Sequence, residues 1–118
     1  MNSRIVLAGL NGFLAVAFAA FGSHGLPADM AEKLRRAYEA GAEIHLVHAA
    51  VLAALAFAPA RLGAAFAILL GGELIFSGSV YAYALTAQTV FAMIAPLGGA
   101  TLLAGWLAFA WAGLKKGS

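Results

Sequence analysis

LGAAFAILLGGELIFSGSVYAYAL, residues 62–85, carries a single formal charge, Glu73, in a run long enough to cross a bilayer. A helix rises about 1.5 Å per residue, so roughly 20 apolar residues span a hydrocarbon core of about 30 Å. Buried helices of soluble domains usually show apolar runs of only about 10–14 residues, so Leu62–Leu85 predicts a transmembrane span. Three companions read the same way: Ile5–Gly22, Ile44–Pro59 and Val90–Leu114. The first two are at the short end of the range, and the second extends backwards through Gly41 and Ala42.

Composition agrees. Of the 118 residues, 64% are hydrophobic and 10% charged, with a mean hydropathy of +0.92. Soluble domains are about 25% charged, so a water-soluble fold of this size would lack the polar side chains to cover its surface. The expected architecture is all-α: one membrane domain over residues 1–118, a bundle of four transmembrane helices. The net charge of +2 and pI of about 9.3 do not make a nucleic-acid protein, because the basic residues are scattered and form no basic face. With no cysteine there are no disulfides and no thiolate metal site. The first apolar run has a rival reading as a signal peptide, with Met1–Arg4 as n-region and Ala17-Phe18-Ala19 as cleavage site. Its length and the mid-run Asn11 argue against that.

The charge-rich segment between the first two spans, about 27–43, predicts an amphipathic helix that runs into the second span. On a helical wheel with Met30 at zero, Leu34, Ala37, Tyr38, Gly41 and His45 fall between about −20° and 80°. Asp29, Glu32, Lys33, Arg35, Arg36, Glu39 and Glu43 fall between about 140° and 300°. Pro27 suits the first turn, and Asp29/Lys33 and Glu32/Arg36 are favourable i,i+4 pairs. The segment is expected to lie on the membrane surface or cap the bundle, and to bend near Gly41, since Ala28–Ala58 unbroken would be about 46 Å long.

The short connections, Ala60-Arg61 and Thr86–Thr89, make spans two, three and four consecutive antiparallel hairpins. Lys and Arg then divide as Arg4, Arg61, Lys115 and Lys116 on one side and Lys33, Arg35 and Arg36 on the other. This slight bias favours cytoplasmic N- and C-termini in a multi-pass inner-membrane protein. Ala104, Ala108, Ala112, Gly98 and Gly105 in span four, Gly71 and Gly78 in span three, and Ala15 and Ala19 in span one are small residues that permit close helix approach. Intramolecular packing is the simpler use; a homo-oligomer or a partner membrane protein is the other. Trp106, Trp111, Tyr81 and Tyr83 read as interface anchors or packing residues.

Glu73, near the centre of span three, is the polar residue most costly to place, at about 2.5–3.5 kcal/mol on insertion scales. Ser77 and Tyr81 follow on the same helix face. If spans two and three fold about the Pro59–Leu62 turn, positions equidistant from the turn face each other. That pairs His48 with Glu73, about 17 Å from the turn, and Ala49 with Gly72. A buried His48–Glu73 pair would share a proton, each partner lowering the other's cost of burial; the competing reading has Glu73 serving packing alone. His45 and His48, three apart, have the spacing of a metal half-site, but structural histidines are the better reading, and no metal or other cofactor is expected. His24, in Phe21-Gly22-Ser23-His24-Gly25-Leu26, suits a helix C-terminus, and Asn11 suits an interhelical bond. Glu39 joins the polar candidates His48, Glu73, Ser77, Tyr81, His24 and Asn11. Phosphate loops, dinucleotide fingerprints, His-Glu-x-x-His and nucleophile elbows are missing, which argues against an enzyme.

The stretches Ala20-Phe21-Gly22-Ser23-His24-Gly25-Leu26, Tyr38-Glu39-Ala40-Gly41, His48-Ala49, Phe76-Ser77-Gly78-Ser79-Val80-Tyr81, Pro96-Leu97-Gly98-Gly99 and Gly105-Trp106 resemble, in order, the bacterial inner-membrane family of domain of unknown function 423, also UPF0382, with eukaryotic transmembrane protein 256 as a relative. The resemblance implies a small multi-span membrane protein with no established activity, and gives weight to His24, Glu39, His48, Ser77 and Pro96. Glu43, Ile44, Ala95 and Glu73 depart from the pattern; Glu73 stands where a small or apolar residue is usual, so the resemblance does not extend a His48–Glu73 pair to the family. The reading favoured overall is a non-enzymatic membrane protein with a structural, regulatory or complex-assembly role in the lipid bilayer. The alternative is a bundle that binds or transports protons, a metal or a small ligand through His48 and Glu73.

Overall fold

The computed structural model describes residues 1–115; Lys116, counted above for orientation, lies outside them. Four helices follow one another: α1 (Ser3–His24), α2 (Glu32–Leu55), α3 (Gly63–Thr86) and α4 (Thr89–Leu114), with one 3-10 turn, Ala60–Leu62, before α3. Among the described residues, three segments are long and apolar enough to cross a membrane: Ser3–His24, Ala60–Thr86 and Thr89–Leu114. The first half of α2 carries Glu32, Lys33, Arg35, Arg36, Glu39 and Glu43, which separates it in composition from the other three.

Each helix end has a local cause. The Asn2 side chain accepts from the Ile5 N–H at 3.1 Å and starts α1. The Gly25 N–H donates to the Phe21 carbonyl at 2.7 Å and closes it. A β-carbon on Gly25 would run into the Phe21 ring, so a larger residue there would force that exposed ring aside. Past α2 the chain tightens, with the Phe57 N–H donating to Ala54 O at 3.2 Å and the Ala58 N–H to Leu55 O at 3.1 Å, which leaves the carbonyls there open to a further donor. The Arg4 guanidinium supplies one, donating to Leu55 O at 3.0 Å and to Ala58 O at 2.8 Å. α3 ends on Ala87, whose φ of 59° is left-handed and whose N–H donates to Tyr83 O at 2.7 Å.

The charge-rich segment corrects the expected interfacial helix. Pro27 opens a turn, with the Met30 N–H donating to Pro27 O at 3.2 Å, and the helix starts five residues later at Glu32. From there α2 runs unbroken through Gly41 to Leu55. Because it begins late, its 24 residues reach only about 36 Å, and the bend that a longer helix would need is not required. The two faces are as the wheel has them: Tyr38, Gly41 and His45 are buried, while Glu32, Lys33, Arg36, Glu39 and Glu43 are exposed. Asp29 lies in the turn, outside the helix. The Arg36–Glu32 pair forms at 3.2 Å between exposed side chains, a geometry that contributes little.

Helices adjacent in sequence are adjacent in space, α1 on α2, α2 on α3 and, most extensively, α3 on α4. The α3–α4 contact is made by glycines. A β-carbon at Gly98 would overlap the Phe76 backbone, one at Gly72 would meet the Leu102 N–H, and one at Gly105 would meet Leu69. Gly71 and Gly78 face open space, and Ala104 is exposed, so they take no part. Gly72 therefore faces α4, which corrects its expected pairing with Ala49 on α2 and turns the neighbouring Glu73 inwards. Two apolar clusters result. One, near the α2–α3 turn, gathers Ala8, Leu52, Leu55, Phe66, Leu69 and Leu102; the other, at the opposite end, gathers Tyr38, Ala42, Tyr81 and Ala84.

Candidate functional site

Between the two clusters lies a chain of buried polar side chains drawn from three helices. Asn11 from α1 donates its Nδ2–H to Glu73 Oε1 of α3 at 2.7 Å. Its Oδ1 is 3.0 Å from His45 Nε2 of α2. His45 Nδ1 is 2.9 Å from the Tyr81 hydroxyl of α3. With its nitrogen committed to the carboxylate, the Asn11 amide has only its oxygen left for His45, so Nε2 carries the imidazole proton. Nδ1 is then bare and accepts from the Tyr81 O–H. Glu73 is 0% exposed, and its Oε2 has no hydrogen-bond partner among the described residues. The nearest candidate, His45 Nε2, lies 4.0 Å from it.

Helix periodicity builds this arrangement. Glu73, Ser77 and Tyr81 sit at i, i+4 and i+8 on the inner face of α3. Ser77 donates to Gly41 O at 2.8 Å, tying α3 to α2. Tyr81 stacks on Phe18 of α1, with ring centroids 4.2 Å apart and planes within 3°. It also packs against Tyr38, at 4.9 Å. The Tyr38 hydroxyl donates to Phe18 O at 2.5 Å, a second polar tie from α2 to α1.

His48 is not in this chain, which corrects its expected pairing with Glu73. Its Nδ1–H donates to the Ile44 carbonyl at 2.9 Å, and its Nε2 accepts from the Trp106 indole N–H of α4 at 3.1 Å. Both ring nitrogens are thereby used. Three residues along a helix leave about 60° between side chains, and the bonds the two histidines make widen that difference: His45 turns towards α1 and α3, His48 towards α4. That divergence also undoes the two-histidine half-site, and no group of three His, Asp or Glu side chains that would hold a metal occurs among the described residues.

Glu39 and His24 lie apart from the chain. Glu39 is exposed and lines a surface groove of about 300 Å³ with Glu43, Ser23 and Tyr38. His24 is exposed at the end of α1, where the Gly25 N–H makes the closing bond. Reading the sequence missed three participants: His45 as the partner facing Glu73, Trp106 as the partner of His48, and Arg4 as the cap of α2. One signal for the first was present, since Asn11 and Glu73 are both polar near the middle of apolar runs and His45 closes the buried stripe of the charge-rich segment.

Residues 18–99 match the family described as "Protein of unknown function (DUF423)". The chain belongs to the DUF423 family. Relatives match over nearly the full length. The UPF0382 membrane protein YwdK of Bacillus subtilis is 31% identical over 98% of this chain and 98% of its own. A UPF0382 membrane protein of Haemophilus influenzae is 36% identical over 99% and 98%. The UPF0382 inner membrane protein YgdD of Escherichia coli K12 is 34% identical over 90% and 86%. No solved structure matches the chain. These bacterial relatives carry membrane designations and no activity, in keeping with three apolar helices of spanning length in a DUF423 membrane protein. Of the polar chain, His45, Glu73 and Tyr81 lie inside the matched residues and Asn11 precedes them.

Proposed function

We propose that the chain is a non-enzymatic four-span protein of the inner membrane with a structural or assembly role in a membrane complex. The carrying observation is that its buried polar groups, apart from Ser79 and one oxygen of Glu73, are spent on holding its own helices together. Asn11, His45, Tyr81, Ser77, His48 and Trp106 each bond across a helix interface. The groove that touches the chain at Asn11, about 170 Å³, is otherwise lined by Leu7, Leu10, Leu14, Leu70 and Leu74, an apolar channel unsuited to water or ions. In this reading the second half of α2 is the fourth span and its charged first half lies among headgroups. Arg4, Arg61 and Lys115 face the cytoplasm, and the outer faces of α1 and α4 meet lipid, a second copy or a partner helix.

The absence of native cysteine makes the test clean. Single cysteines at exposed Leu10 and Leu107 should cross-link to a defined neighbour in native membranes from one face only. The same chain reconstituted alone in liposomes should leave proton and metal gradients intact. Gradient collapse that scales with the amount of chain would overturn the proposal in favour of a second reading, a bundle that moves protons, a metal or a small ligand. The observation behind that second reading is Glu73 Oε2, buried without a donor.

A further inference from the structure

We propose that Glu73 and His45 form a buried proton-binding site, and that the chain Glu73–Asn11–His45–Tyr81 reverses its hydrogen-bond direction when the proton binds. This concerns binding, not translocation, and does not rest on the assembly role.

The three links are the reason. A carboxamide and a neutral imidazole each present a donor on one side and an acceptor on the other, and a phenol hydroxyl is both. In the direction described above, Tyr81 O–H donates to His45 Nδ1, His45 Nε2–H donates to Asn11 Oδ1, and Asn11 Nδ2–H donates to Glu73 Oε1. Every link is satisfied except Glu73 Oε2. A buried anionic oxygen without a donor is the costliest group in such a site, and a proton is the smallest ligand that removes the cost.

With one proton added, the same heavy atoms support the opposite direction. Glu73 Oε1–H donates to Asn11 Oδ1 after a half-turn of the amide. Asn11 Nδ2–H donates to His45 Nε2, and His45 Nδ1–H donates to the Tyr81 oxygen, whose own hydrogen turns away. The balance is one proton: Glu73 gains it, His45 exchanges an Nε2 proton for an Nδ1 proton, and Asn11 and Tyr81 keep theirs. The 4.0 Å between His45 Nε2 and Glu73 Oε2 is longer than a hydrogen bond, so the route needs a small side-chain rotation that brings the two together. A proton taken up by the Tyr81 oxygen releases the Tyr81 hydrogen to Nδ1 and makes the ring an imidazolium. Once side-chain rotation breaks the Nε2–Asn11 bond and closes the gap, the Nε2 proton passes to Oε2, and rotation of the carboxyl brings it to Asn11. Access is from the Tyr81 end. There Tyr81 packs on Tyr38, which lines the 300 Å³ surface groove with Glu39 and Glu43.

Few other titratable groups face the site. From α2, Tyr38 is held by Phe18 O, and His48 is held by Ile44 O and Trp106. α1 supplies Asn11 and no titratable group at this depth, α3 supplies Glu73 and Tyr81, and α4 supplies only Trp106, at His48.

The test is solid-state NMR of the full chain in lipid vesicles, with histidine nitrogens and glutamate side-chain carbons labelled, across a pH series. The expected result is one shared transition: the Glu73 carboxyl passes from carboxylate to acid as the His45 proton moves from Nε2 to Nδ1, while His48 keeps its Nδ1 proton throughout. Protonation of Glu73 with the His45 tautomer unchanged would overturn the proposal. So would a Glu73 carboxyl that stays in one state over the pH range in which the chain remains folded. In Glu73→Gln the His45 switch should be lost and the His48 signals unmoved; a His45 transition persisting there would show that the histidine titrates alone and would equally sink the idea. Should that variant fail to fold, the unsubstituted chain still decides.

Discussion

α1 and α4 are the two outer helices, and equally little of each is covered: 17% of the most apolar window of either is buried. Their attachments differ in kind. α4 lies against α3 through glycines at Gly72, Gly98 and Gly105, where no β-carbon fits. α1 buries only Ala8, Asn11 and Ala15 and is held by directional bonds: Asn11 to Glu73 and His45, Arg4 to the end of α2, and Phe18 O from Tyr38. In lipid, burial of apolar surface does not drive helices together, which leaves close packing and hydrogen bonds. One outer helix relies on the first and the other chiefly on the second. The packed contact should fail through steric overlap, the bonded one through loss of a partner.

The largest effect is expected from Gly98→Leu, which forces a side chain into the Phe76 backbone. It should cost about 3 kcal/mol or more, beyond the usual 1–3 for overpacking, read by denaturant unfolding in micelles. Gly99→Leu, which meets nothing within 4 Å, should change stability by less than about 0.5 kcal/mol. Equal costs at 98 and 99 would break the packing half of the comparison. Next comes Asn11→Leu, which strips Glu73 and His45 of their shared partner and should cost about 2 kcal/mol. A cysteine placed on the inner face of α1 should become more reactive while one on α4 does not. Arg4→Met removes the cap on Leu55 O and Ala58 O and should cost about 1.5 kcal/mol, with faster hydrogen exchange confined to the last turn of α2. Smallest is Ala87→Gly. Relief of a left-handed alanine should raise stability by about 1 kcal/mol, shown as a shift in midpoint with unchanged slope.

What was legible follows from what each pattern measures. Hydropathy reports the solvent, so the membrane location and the extents of α1, α3 and α4 were read to within a few residues. The wheel reports which face avoids charge, so the inward Tyr38, Gly41 and His45 were read as well. Glu73 stands out in the sequence as costly, and in the interior it is joined to Asn11 and, through His45, to Tyr81, while Ser77 on the same face bonds to Gly41 O. Glu39 and His24 were grouped with them but sit at the surface. The start of α2 was misplaced because Pro27 suits a β-turn as well as a first helical turn, and only the Met30 N–H bond back to Pro27 O decides between them.

The pairing error is the instructive one. Equal distance from a turn sets depth along two helices but says nothing of rotation about their axes. His45 and His48 are one turn apart, within the error of any such estimate, and point in different directions. Rotation is set by close approach: Gly72 must face Leu102 and Gly98 must face Phe76, which turns Glu73 away from α4 and towards Asn11 and His45. The amino-acid sequence alone determines that these helices live in lipid and which polar residues must find partners there, because transfer into hydrocarbon is a property of each side chain and sums along the chain. Which partner each one finds is decided only by the tertiary structure, because hydrogen bonds and glycine contacts are short-ranged and depend on the rotation of every helix at once.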